Sequence, residues 1–312
     1  MSQAGHIDVH HHFIPDFYRD IAERAGHVLS GGAPIPPWTP GESLAMLDGA
    51  GIERALLSIA PPGVYFGDPV AAAELATRCN DHLAGLVKEH PGRFGGFGVL
   101  PLPDVDAALA EIGRIFDVHR LDGVGLYTNV AGRYLGDPAF EPVFAELNRR
   151  RAVAYLHPAE PPVDPAPGLG LPGWYGEFVF DTTRALSQMI VQGTLGRHRD
   201  VSLIVAHAGG TAPAIVQRIE NVRRTTPGAA QETSLDFLKR IYFDTASCGA
   251  GHGLRLVRDL VGAERILVGS DYPFVPPHSV GALTKNLADP RFLGVGPATL
   301  RENTVRLFPH LG

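Results

Sequence analysis

Short runs of apolar and β-branched residues recur along the chain, separated by longer stretches whose apolar positions return every three to four residues. Eight such runs fall at about 6–10, 54–59, 94–100, 123–127, 152–156, 202–206, 241–245 and 266–270. Runs of this length bounded by glycine, proline and polar residues predict strands, and the stretches between them predict helices. One stretch is punctuated at both ends: Asp68 stands as N-cap before Pro69, and Pro91-Gly92 stops the helix. Its apolar residues Val70, Ala73, Ala76, Cys79, Leu83 and Leu86 predict a buried face, which makes Cys79 a core residue. Strand–helix alternation repeated eight times predicts an α/β protein, a (β/α)8 TIM barrel formed as a single domain over residues 1–312. A doubly wound open sheet also alternates, but it carries a glycine-rich phosphate turn after its first strand. Here that position reads His10-His11-His12-Phe13. The segments Phe13–Trp38 and Pro158–Gly176 interrupt the alternation and are expected to be loop elaborations over the C-terminal mouth of the barrel.

Charge and composition narrow the partners. The net charge of -6 comes without a basic run, so neither nucleic acid nor an anionic membrane surface is an expected partner. No apolar run approaches the roughly 18 residues of a spanning helix. The N-terminus lacks a basic-then-apolar signal, and the expected location is cytoplasmic. Cys79 and Cys248 are the only cysteines, too few for a disulfide framework or a thiolate metal site. Any metal must be held by nitrogen and oxygen.

Barrel enzymes draw their functional side chains from the C-terminal ends of several strands. The first predicted strand ends Asp8-Val9-His10-His11-His12, where alternation puts His10 and His12 on one face and His11 on the other. The fifth ends at His157-Pro158, the sixth at His207-Ala-Gly-Gly, and the eighth at Ser270-Asp271-Tyr-Pro. Taken singly, each residue is equally a hydrogen-bonded buried histidine or a turn-capping aspartate. Together they place imidazole or carboxylate at four strand ends, and desolvating so many polar groups costs several kcal/mol unless a cation pairs with them. A donor set of imidazoles and a carboxylate suits Zn²⁺ first, with Mn²⁺ as an alternative, far better than Ca²⁺.

These motifs, with Phe180-Asp-Thr-Thr-Arg184 and Tyr242-Phe-Asp244-Thr-Ala-Ser247, resemble the amidohydrolase superfamily. The similarity is to its aminocarboxymuconate-semialdehyde decarboxylase-like branch, particularly the 6-methylsalicylate and γ-resorcylate decarboxylases. The resemblance runs nearly end to end. It implies His10, His12, His157 and Asp271 as ligands of one divalent metal, and His207 with Asp271 as the catalytic pair. It also implies Arg218 as a contact to the substrate carboxylate, in some members across a homodimer interface. A second family arginine, expected near Ser43 to Met46, is missing, which argues against a doubly carboxylated substrate. Binuclear relatives bridge their metals with a lysine at the end of strand four. Here Tyr127-Thr128-Asn129 stands there, and the chain's only lysines are Lys88, Lys239 and Lys285, so a mononuclear site is expected.

The expected activity is non-oxidative, metal-dependent decarboxylation of a small aromatic or muconate-type carboxylic acid, with either Asp271 or His207 delivering the proton. A mononuclear lactone or amide hydrolase, or a hydratase, is the alternative on the same scaffold. Asp244 is expected to orient His207 or His252, and Trp174, Tyr175, Phe178 and Phe180 to wall an aromatic-acid pocket.

Overall fold

The computed structural model describes residues 5–162, 170–248 and 251–312. The middle of the expected mouth segment, 163–169, therefore lies outside the described residues. Eight parallel strands pair in sequence order: β1 (His6–Phe13), β2 (Ile52–Ile59), β3 (Phe94–Val99), β4 (Gly123–Tyr127), β5 (Val153–His157), β6 (Ser202–Val205), β7 (Tyr242–Asp244) and β8 (Ile266–Leu267). The sheet closes on itself. Beyond β8, Val268 bridges Asp8 and Tyr272 bridges His11. Val9 N–H donates to Val268 O at 2.8 Å and His12 N–H to Tyr272 O at 2.7 Å. Helices fill the crossovers, as the sequence predicts for a TIM barrel. Those that matter below are α1 (Pro40–Ala50), α2 (Pro69–Glu89), α3 (Gly173–Gln192) and α4 (Val216–Thr225).

Two apolar layers follow from strand alternation. Outward residues such as Ala154, Leu156, Leu203 and Val205 meet the helices. Inward residues Ile7, Val9, Leu56, Phe97, Tyr155, Ile204 and Leu267 fill the barrel, and Phe308 and Leu311 close its floor. In β5 the inward parity of Val153 and Tyr155 carries on to His157 at the mouth. In β1 it does not. Ile7 and Val9 point inward, and so do His10 and His12. The change of parity comes from a bulge: Asp8 pairs with Ala55 and His11 with Leu57, three steps against two. The carboxylate of Asp8 holds the bulge, its Oδ1 accepting His10 N–H and Ser270 N–H, both at 3.0 Å.

The helix predicted from Asp68 is α2, and Asp68 Oδ1 caps it by accepting Val70 N–H at 2.9 Å. Its buried face is Ala72, Leu75, Ala76, Cys79, Asn80, Leu83 and Leu86, so Cys79 is core as expected. Val70 and Ala73 do not belong to that face. Val70 lies nine residues before Cys79, a half-turn out of phase at 100° per residue, and it is exposed. The segment Phe13–Trp38 forms a helix, Asp16–Arg24, and a two-stranded hairpin, Leu29–Ser30 with Ala33–Pro34.

Candidate metal centre and active site

The strand ends bring the predicted residues together. Nδ1 of His10 donates to Asp244 Oδ2 at 2.7 Å, which turns Nε2 toward the mouth. Nδ1 of His157 donates to Pro158 O at 2.7 Å, and its Nε2 is buried with no partner among the described residues. His12 has Nδ1 3.4 Å from Ser58 Oγ and Nε2 3.2 Å from His10 Nε2. Asp271 Oδ1 stands 3.2 Å from His10 Nε2 and 3.3 Å from His12 Nε2. Its other oxygen, Oδ2, faces His207 Nε2 at 3.3 Å and Ser247 Oγ at 3.0 Å. One donor atom each from His10, His157, His207 and Asp271 lies within 4.8 Å of all the others, and His12 Nε2 meets His10 and Asp271 of that group.

The electrostatics show a site built around positive charge. Burial opposes protonation of His10, yet Asp244 and Asp271 outweigh it and raise its pKa to about 10. Burial and the neighbouring imidazoles push His157 well down, and burial lowers His12. Asp271 is held well below the carboxylate range: burial works against ionisation, but the charge of His10 and hydrogen bonds from three histidines prevail. Imidazole lone pairs crowded beside a carboxylate repel one another unless a cation sits between them. Two donors each about 2.0–2.1 Å from one ion stand about 2.8–3.4 Å apart at angles of roughly 90–110°. The separations of 3.2, 3.2 and 3.3 Å among His10, His12 and Asp271 fit that requirement.

His11 and the lysines stand where the sequence put them, whereas Asp244 reaches partners other than those expected and Arg218 lies outside the cavity. Asp244 supports His10 through its side chain, and it holds His207 through the backbone, its Oδ1 accepting His207 N–H at 2.9 Å. It does not touch the ring of His207, and His252 bonds to Arg255 instead. His11 points away from the mouth, between Asp8 Oδ2 and Ser43 Oγ. Arg218 is exposed on α4 and does not line the cavity. The lysines lie on outer helices, Lys88 on α2 and the others at Ser234–Arg240 and Pro277–Ala288, none of them at the end of β4.

A cavity of about 740 Å³ opens above these groups. His157, His207 and Asp271 reach its floor, and its walls include Trp174, Tyr175 and Phe178 of α3 together with Phe274 and Val275. Phe180 is not part of the wall and is exposed on α3. The Phe180–Arg184 motif matters through Asp181 instead. That carboxylate is fully buried and accepts from Thr128 Oγ1, from Asn129 Nδ2 at 3.0 Å and from Tyr134 O–H at 2.5 Å. It ties the aromatic wall to the end of β4. Neither this network nor the Asp8 clamp was foreseen, although a lone aspartate within an apolar helical stretch was a visible signal for the first.

The sequence profile of the Amidohydrolase family matches residues 7–309. The chain belongs to the amidohydrolase family. This amidohydrolase is 34% identical to the 6-methylsalicylic acid decarboxylase of Aspergillus aculeatus, across 98% of its own length and 96% of that relative's. It is 30% identical to the γ-resorcylate decarboxylase of Rhodococcus jostii, across 74% and 76% of the two chains. The crystal structure of an amidohydrolase II matches it with a TM-score of 0.92 at 28% identity, covering 97% of this chain and 99% of that one.

Proposed function

We propose that this amidohydrolase is a metal-dependent carboxy-lyase that removes CO2 from a small aromatic acid without net oxidation. One observation carries the reading: imidazole nitrogens and an ionised carboxylate converge on a point at the floor of an aromatic-walled cavity. The end-to-end similarity to a 6-methylsalicylic acid decarboxylase supports the reaction class over lactone or amide hydrolysis. His10, His12, His157 and Asp271 are the proposed ligands of a single divalent ion, Zn²⁺ or Mn²⁺. His207 is left out of that set because it meets Oδ2 of Asp271, whereas His10 and His12 meet Oδ1.

When bound, the ion supplies Lewis acidity toward a carboxylate and an ortho oxygen. The chain's own residues supply the rest. Phe178 and Phe274 at the cavity wall exclude water and orient a planar ring. The pair His207 Nε2 and Asp271 Oδ2 holds the proton that the ring carbon bearing the carboxylate must receive before the C–C bond breaks. Arg218 and the homodimer are linked proposals. In the single chain Arg218 is exposed outside the cavity, so it reaches a substrate only if a second copy presents it.

The test is His207→Asn, assayed for CO2 release from a panel of hydroxybenzoates beside metal analysis. Metal should remain at about one equivalent per chain, while turnover falls about 10²- to 10⁴-fold. Loss of metal in step with activity would make His207 a ligand. Ester or lactone cleavage by the wild-type protein without CO2 release would replace the reaction assignment.

A further inference from the structure

Three neighbouring strands, β6, β7 and β8, each lead into a non-glycine residue with left-handed backbone: His207 at φ +55°, Ser247 at +56° and Asp271 at +61°. Such geometry disfavours side chains with a Cβ, and it persists only where the surroundings over-determine it. Here all three side chains meet at one atom, Asp271 Oδ2. His207 Nε2 is 3.3 Å from it and Ser247 Oγ donates to it at 3.0 Å. Oδ1 of the same carboxylate is left facing His10 and His12.

We propose that Ser247 is a positioning residue whose hydroxyl anchors Asp271 Oδ2, so that Oδ1 alone is presented to the cation and Oδ2 stays in register with His207. The inference rests on the reading of His10, His12, His157 and Asp271 as a cation site. A carboxylate bound by one oxygen is free to rotate and offer the second one as well, unless that second oxygen has its own partners. Ser247 Oγ has Asp271 as its hydrogen-bond acceptor, and it stands at the cavity wall. Glycine at position 247 would satisfy the backbone at lower cost. The backbone and the hydroxyl are thus separate demands on position 247, and mutation can separate them.

The experiment compares wild type, Ser247→Ala and Ser247→Gly, each loaded with Co²⁺ for visible absorption and assayed for CO2 release from 6-methylsalicylate. Both variants should bind the ion and melt near the wild-type temperature. Both should lose about 10- to 100-fold in kcat with KM within about twofold. Their Co²⁺ bands should weaken together as Asp271 Oδ2 enters the coordination sphere and the ion gains a ligand. Wild-type kcat in Ser247→Gly would show that only the backbone matters and overturn the proposal. A lowered kcat with an unaltered spectrum would overturn it too, making Ser247 a substrate contact. Failure of the wild-type protein to bind Co²⁺ is a different result and sinks the reading of the cation site itself.

Discussion

At the scale of single residues, the site depends on close approaches as much as on donors. Gly269 shows this. A Cβ there would lie 2.8 Å from His10 Cβ and 3.0 Å from Asp244 Cβ and Cγ, between the two partners of the 2.7 Å His10–Asp244 bond. Gly269→Ala should therefore separate them, lowering metal content and costing about 1–3 kcal/mol of stability. Metal analysis with chemical denaturation checks it, and full metal occupancy with unchanged stability would contradict it. The donors themselves were legible in the sequence, because an imidazole or carboxylate ending an apolar run is a visible pattern. Gly269, Ser247 and the clamping role of Asp8 were not. Their roles depend on a bulge, a left-handed φ and a contact between strands far apart in the chain, none of which leaves a periodic trace.

Among the elements, α3 has the most to answer for, since it carries Trp174, Tyr175 and Phe178 into the cavity wall. Its grip on the barrel runs through Asp181, bonded to Thr128, Asn129 and Tyr134. Burial and the Asp181 carboxylate push the Tyr134 hydroxyl up, so it remains a donor at neutral pH. Asp181→Ala would leave these donors without their acceptor, at a cost of about 2–5 kcal/mol. Because the helix moves rather than the floor, KM for an aromatic acid should rise by a larger factor than kcat falls. Steady-state kinetics decide it, and a pure kcat effect would place Asp181 in the chemistry. Element boundaries were legible to within a few residues wherever capping chemistry marked them, as at Asp68-Pro69. The buried face of α2 was less so, because Val70 is apolar yet stands a half-turn away from Cys79. An exposed valine in a first turn carries the same letter as a core one.

For the whole molecule, closing the sheet and gathering charge are the same event. The seam between the chain after β8 and β1 passes through Asp8, Val9, His11 and His12, so the barrel cannot close without carrying His10 and His12 to the mouth. The eight apolar runs made the closed barrel legible, while the seam, only two bridges long, was not. This coupling predicts how stability responds to pH. In chelator-treated protein a protonated His10 would stand in for the proposed cation, because Asp244 and Asp271, overcoming burial, raise its pKa from 6.5 to about 10. A group with a raised folded pKa adds stability that is complete below its unfolded value and is lost as pH climbs through the folded one. The window for His10 therefore runs from 6.5 to about 10. His12 and His157 shift downward and act only below it. With the proposed ligand set, Nε2 of His10 binds the ion in metal-loaded protein and cannot take the proton, so that loss should disappear. At fixed pH, free metal at roughly a hundred times its Kd should add about 2.7 kcal/mol. Raising the pH across the window should then widen the gap in melting temperature between loaded and chelated samples. Parallel melting curves from pH 6.5 to 10 would mean that His10 does not stand in for the ion, and the ligand assignment would lose its electrostatic basis.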